Sequence, residues 1–156
     1  MNQAKNRFRV VLAVSAFQIA LLAIPVYAFQ AIDATKLQIA ASQHNIIAIL
    51  LKEKNFDDVL LEYDKILGLR LPAQYDENVI KETLWISEAF LKGQRSDLSL
   101  RLLERGIQGM NQNKSKATLY QEMGLVYRLE GNDLKALECF RRAQQLASRV
   151  VTRPEY

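Results

Sequence analysis

The chain has 156 residues, of which 49% are hydrophobic and 24% charged, with 6 Gly, 3 Pro and a single Cys. That is the composition of an ordinary globular domain, and it excludes disordered, collagen-like and disulfide-stapled classes. The formal charge is +4, from 21 basic and 17 acidic residues, but Lys5, Arg7 and Arg9 are the only charged residues before Asp33. Past residue 28, 18 basic residues face 17 acidic ones, a balance that argues against a nucleic-acid binder, which needs a dense basic face.

Met1 to Arg9 is polar and positive, Val10 to Ala28 is apolar apart from Ser15 and Gln18, and Gln30 and Asp33 end the hydrophobic run. This is the layout of a secretory signal. Pro25 interrupts the run, Val26-Tyr27-Ala28 suits a cut after Ala28, and no cysteine follows that could carry a lipid anchor. The expectation is a signal peptide over 1–28 and an exported domain over 29–156, periplasmic or secreted. The uncharged stretch from Val10 to Ile32 is 23 residues, and a bilayer needs about 20. The alternative is therefore a signal anchor through residues 10–28, tethering the domain on the periplasmic face of the inner membrane.

From residue 33 on, apolar residues recur at three- and four-residue spacing, as in Leu98, Leu102 and Ile107 or Leu119, Met123 and Val126, which predicts helices and no strands. Breaks at Lys54-Asn55, Arg70 to Asp76, Lys92 to Ser96, Gly109 to Ser115 and Gly131-Asn132 divide the chain into helices over 34–53, 56–69, 77–92, 97–109, 116–130 and 133–150. Asn55, Ser96, Ser115 and Asn132 suit helix N-caps, and Gly93 and Gly131 suit the left-handed turn at a helix end. Six helices of these lengths make three hairpins and an all-α fold.

The last hairpin carries a recognisable pattern: Tyr120-x2-Met123-Gly124-x2-Tyr127, then Gly131-Asn132-Asp133, then Ala136-x3-Phe140-x2-Ala143. It resembles the tetratricopeptide repeat, W-x2-L-G-x2-Y…A-x3-F with a Gly-led turn. Tyr stands for Trp, Met for Leu, and Ser148 where the closing Pro belongs. The small Gly124 and Ala136 would let the two helices approach, with Tyr120, Tyr127 and Phe140 filling the space around them. Shifted back by 37 residues, the template puts Ser87 under Gly124, Phe90 under Tyr127, Ser99 under Ala136, Leu103 under Phe140 and Gly106 under Ala143. A further 40 back, Leu50, Tyr63 and Ile66 take the large and closing positions, and Ile47 falls where a small residue belongs. The resemblance implies repeats over about 40–72, 80–113 and 117–150, stacked in a right-handed superhelix, with the extra length beyond 34 residues placed in connections at Gly68–Asp76 and Gly106–Ser115.

Enzymatic chemistry finds little support. His44 is the only histidine and Cys139 the only cysteine, and the sequence holds no Gly-rich phosphate loop or nucleophile elbow. A metal site needs several ligands at suitable spacing, and Cys139 next to Phe140 reads as a small buried hydrophobe. Asp57 and Asp58 read as helix-start residues favoured by the dipole. No cofactor, metal or catalytic group is expected.

What remains is a surface. By the resemblance, the first helix of each hairpin lines a concave groove: His44, Ala48, Leu51 and Lys52, then Lys81, Leu84, Glu88, Leu91 and Lys92, then Gln121, Leu125, Arg128 and Leu129. Lys52, Lys81, Lys92 and Arg128 against Glu88 give that face a charge of +3, which would suit an acidic segment or a terminal carboxylate of a protein or peptide partner. The competing explanation is that Lys52, Lys92 and Arg128 are cations at helix ends, favoured there by the dipole without any ligand. The expected role is a non-enzymatic scaffold in a bacterial cell envelope. The alternatives are a membrane-anchored accessory subunit of an envelope assembly or secretion complex, and a small-ligand or cell-wall-fragment binder, which would need a closed apolar pocket.

Overall fold

The computed structural model describes residues 34–151, with side chains to Arg149; the expected signal or anchor over 1–28 lies outside them. Residues 39–151 belong to one compact unit. Among the described residues the fold is all-α, with no strands. Helix α1 covers residues 34–52 and belongs to this unit from residue 39 on. It is followed by α2 (Phe56–Gly68), a single 3-10 turn (Ala73–Tyr75), α3 (Asp76–Lys92), α4 (Ser96–Gly109), α5 (Asn113–Leu129) and α6 (Asp133–Val151). These are the six helices the periodicity predicts. The largest departure is at α5, which begins at Asn113, so that Ser115 is buried inside the helix rather than capping it. The second connection is correspondingly short. The 37-residue spacing is absorbed by helix, with only residues 110–112 between α4 and α5.

The three hairpin turns are built alike. Lys54, Gln94 and Gly131 all adopt left-handed conformations, with φ of 58°, 59° and 74°. In each turn the amide one residue later donates to a carbonyl five residues back: Asn55 N to Leu50 O, Arg95 N to Phe90 O and Asn132 N to Tyr127 O, all 2.9 Å. The left-handed residue itself donates to Leu51, Leu91 or Arg128 O at 3.0–3.1 Å. This pair of bonds is the Schellman closure of a helix end, and it recurs at the 40- and 37-residue spacings read from the side chains. Gly93, expected to take the left-handed role, sits at φ −81°. The turn is set one residue later, on Gln94.

Capping also differs from expectation at three of the four sites. Asn132 Oδ1 accepts Lys135 N at 3.2 Å, as a cap should. The Asn55 amide instead donates to Asp58 Oδ2 at 2.6 Å, and Ser96 Oγ donates to Glu130 Oε1 at 2.6 Å, tying the second turn to the third. Asp57 and Asp58 do occupy the first turn of α2.

Neighbouring hairpins share their cores. One cluster joins Ile47, Val59, Leu60, Tyr63 and Ile66 to Ile86, Phe90, Leu98 and Leu102. A second joins Val79, Leu103, Ile107 and Met110 to Leu119, Met123, Val126 and Cys139. Each hairpin therefore buries its apolar side on the next, the logic of a repeat stack. Ile47, out of pattern as a large residue, is fully buried. Several polar groups inside are paired: Ser87 Oγ and Ser99 Oγ meet at 2.7 Å. Thr83 Oγ1 donates to Val79 O at 2.7 Å, which leaves Tyr63 Oη to donate to Thr83 at 2.5 Å. Burial pushes the Tyr63 phenol well above its ordinary range. On the opposite side, the Arg105 guanidinium binds Asp64 and donates to Leu60 O at 3.3 Å.

Candidate functional site

The repeat-defining side chains of the last hairpin stand as a close helix crossing requires. Gly124 and Ala136 are buried, and Tyr120, Tyr127, Phe140 and Ala143 are half-buried around them. A Cβ added at Gly124 would lie 2.6 Å from Phe140 Cε1 and 2.8 Å from Cδ1. In the middle hairpin the equivalents Ser87 and Ser99 touch directly.

Helices α3 and α5 lie side by side, because Ile80 and Lys81 share an open cleft of about 560 Å³ with Lys114 and Thr118. At the mouth of this cleft Asp76 is buried and accepts the backbone N–H groups of Asn111 (3.3 Å) and Gln112 (3.1 Å), fixing the start of α3 against the connection into α5. Of the expected groove residues, Lys52, Lys81, Glu88, Lys92, Gln121, Leu125 and Arg128 are exposed and Leu84 is half-buried. Two of the four cations are paired. Lys81 pairs with Glu77 at 2.9 Å and Lys92 with Glu88 at 2.7 Å, both one helical turn apart. The Lys81 ammonium holds the Glu77 carboxyl below its usual value. Glu122 is raised, first by burial and then by the nearby Glu88. Adding Glu77 and Glu122 to the sequence count reduces the surplus from three positive charges to one.

The turn spacing also refines the arrangement of the charges. Lys52, Lys92 and Leu129 directly precede equivalent turn residues, while Leu51, Leu91 and Arg128 form the adjacent row. The first row is basic on the first two hairpins and apolar on the third, where Leu129 is largely exposed.

Two side chains that the sequence did not single out, Glu82 and Trp85, meet the expected groove residue His44. His44 on α1 reaches Glu82 on α3, with Nδ1 at 2.8 and 3.0 Å from its two carboxylate oxygens. Its ring packs at 4.8 Å, tilted by 39°, against Trp85, which is over one-third exposed. The only histidine thus ties the first hairpin to the second. The remaining singular residue, Cys139, lines a cleft with Tyr120, Met123 and Tyr127; burial raises its thiol pKa. Lys135 Nζ sits 5.1 Å above the Tyr127 ring, a cation–π contact. Among the described residues no group of three or more His, Cys, Asp or Glu side chains is arranged to hold a metal, and no helix is long and apolar enough to cross a membrane.

No protein-family model and no curated protein matches this chain. Backbone turns position the surface, paired ions neutralise much of it, and Trp85, Leu125 and Leu129 leave apolar area facing water.

Proposed function

We propose that the protein is a non-enzymatic, tetratricopeptide-like adaptor whose three hairpins present the α1–α3–α5 face to a segment of a partner protein. The observation that carries this reading is the threefold recurrence of one turn geometry at 40- and 37-residue spacing, which repeats a helix face rather than building a single enclosed site. Exposed Trp85, Leu125 and Leu129 on that face supply anchors of the kind interfaces use. The charge there is nearly balanced, so a partner segment would place apolar side chains on Leu125 and Leu129 and carboxylates nearer Lys52 and Lys92. The amino-terminal layout supports export to a cell envelope, with cleavage after Ala28 or retention as an anchor.

Photoreactive residues test the face. Placed at Leu125 or Leu129 in the producing cell, they should yield a discrete adduct with a single partner, whereas placement at exposed Leu61 on α2 should not. Equal labelling from all three positions would remove the groove reading. The mass of the mature chain, with or without residues 1–28, decides between soluble and anchored forms.

A further inference from the structure

The stack is apolar at both ends, and the repeat register shows what each end fits. Ile39, Ile46 and Ile49 on α1 are 41%, 40% and 57% exposed. Their equivalents 40 residues on include Val79 and Ile86, at 8% and 0%, and a further 37 on include Met123 and Val126, at 9% and 0%. Ile86 is buried against the first hairpin and Met123 and Val126 against the second, where each hairpin docks on the one before it, while Val79 lies in the core shared with the third. The other end mirrors this. Leu60 on α2 is 3% exposed beneath the second hairpin, whereas its counterpart Leu137 on α6 is 45% exposed. Beside it, Ala117, Phe140, Ala143 and Ala147 line an open furrow of about 490 Å³.

We propose that copies of this chain stack end to end, the α1 face of one docking on the α5–α6 face of another as a fourth hairpin would. The existing junctions supply the geometry. At Gly106 an added Cβ would stand 3.0 Å from Leu119 Cδ1 of the following hairpin and equally close to Tyr63 Oη of the preceding one; the same register places Ser42 of one copy on Ala143 of the other. Charge favours this orientation. Residues 39–68 carry three basic and five acidic groups, and residues 113–151 carry seven basic and four acidic, so the two ends attract while like ends repel. Such a contact is heterologous, joining different surfaces of the two copies, so it propagates into rows or closes into rings. The inference rests on the repeat register of the proposed function and not on any groove ligand.

Disulfide trapping in the full chain tests it. In a Cys139→Ser background, Ser42→Cys with Ala143→Cys should give, on oxidation, a non-reducing ladder extending beyond dimer, while either cysteine alone stops at dimer or monomer. Adding Ile46→Lys and Ile49→Lys, both at exposed positions, should abolish the ladder with helicity unchanged. As an internal reference, Gly106→Cys with Leu119→Cys should close a disulfide within one chain. If the reference closes and the double variant stays monomeric, end-to-end stacking is wrong and the repeat reading stands. If the reference fails to close in a folded chain, both fall together.

Discussion

The crossing at Gly124 can be tested by the sign of an effect. Gly124→Ala adds one methyl to a buried helical position, and on intrinsic propensity alone it should stabilise α5 by about 1 kcal/mol. The structure opposes this, because the new Cβ would lie 2.6, 2.8 and 3.0 Å from three atoms of the Phe140 ring. The ring or the helix must move, and overpacking of this kind costs about 1–3 kcal/mol. The two terms sum to a net loss of up to about 2 kcal/mol in the parent. With Phe140→Ala the obstruction is gone, and the same Gly124→Ala change should stabilise by the full propensity term of about 1 kcal/mol. A double-mutant cycle by urea denaturation, followed by helical circular dichroism, should then give a coupling of about 1–3 kcal/mol. If Gly124→Ala stabilises equally in both backgrounds, Phe140 does not close on Gly124 and the register of the last hairpin is wrong.

Lys54→Gly and Gln94→Gly should each raise stability by up to about 1 kcal/mol, because L side chains resist the left-handed turn that glycine accepts; a lowered melting temperature would contradict the turn assignment. Ser87→Ala should cost about 1–3 kcal/mol by leaving the Ser99 hydroxyl without its buried partner, and the double Ser87→Ala/Ser99→Ala variant should be more stable than either single change in the same melts. The raised phenol of Tyr63 is a stabilising term fully present below the unfolded tyrosine pKa of about 10 and lost as pH climbs above it. Stability should therefore fall above that pH by up to about 1.4 kcal/mol per unit. Tyr63→Phe should show a shallower alkaline decline in urea midpoints collected across that range, and an unchanged slope would exclude Tyr63 as the group responsible.

Helix identity was legible in the sequence because period and punctuation agree: apolar residues at three- and four-residue spacing run between turn residues, and packing on the neighbouring hairpins kept those segments helical. The start of α5 was not legible, since Asn113, Lys114 and Ser115 read as a break by polarity, yet the buried Ser115 lies where the helix packs on the hairpin before it. Gly93 drew the left-handed assignment by residue preference, while the Phe90–Arg95 bond sets the turn one residue later, at Gln94. Of the groove, the ion pairs Glu77–Lys81 and Glu88–Lys92 were available from their spacing alone, and including Glu77 beside the already counted Glu88 would have lowered the charge of the face by one. The His44–Glu82–Trp85 contact joins residues about forty apart and depends on how the first hairpin meets the second, which no local pattern records.

The three hairpins solve the same crossing with different matter: Ile47 and Val59 in the first, the Ser87–Ser99 hydrogen bond in the second, and Gly124 with Ala136 in the third. In the first two the crossing is covered by the hairpin that follows, and Tyr63 is sealed by Thr83 and Gly106. In the third it is closed by the half-buried Phe140 ring, beside an open furrow. Local opening is cheapest where buried apolar contact is least, so α6, whose buried side chains among the described residues are only Ala136 and Cys139, opens more readily than the helices α2 to α5. Leu125 and Leu129 of the proposed groove lie on the helix that α6 supports. Anything that seats against this hairpin, a partner segment or a second copy, therefore binds the closed form and raises the cost of opening it, and partner binding should be read as protection of α6 as well as occupation of α5.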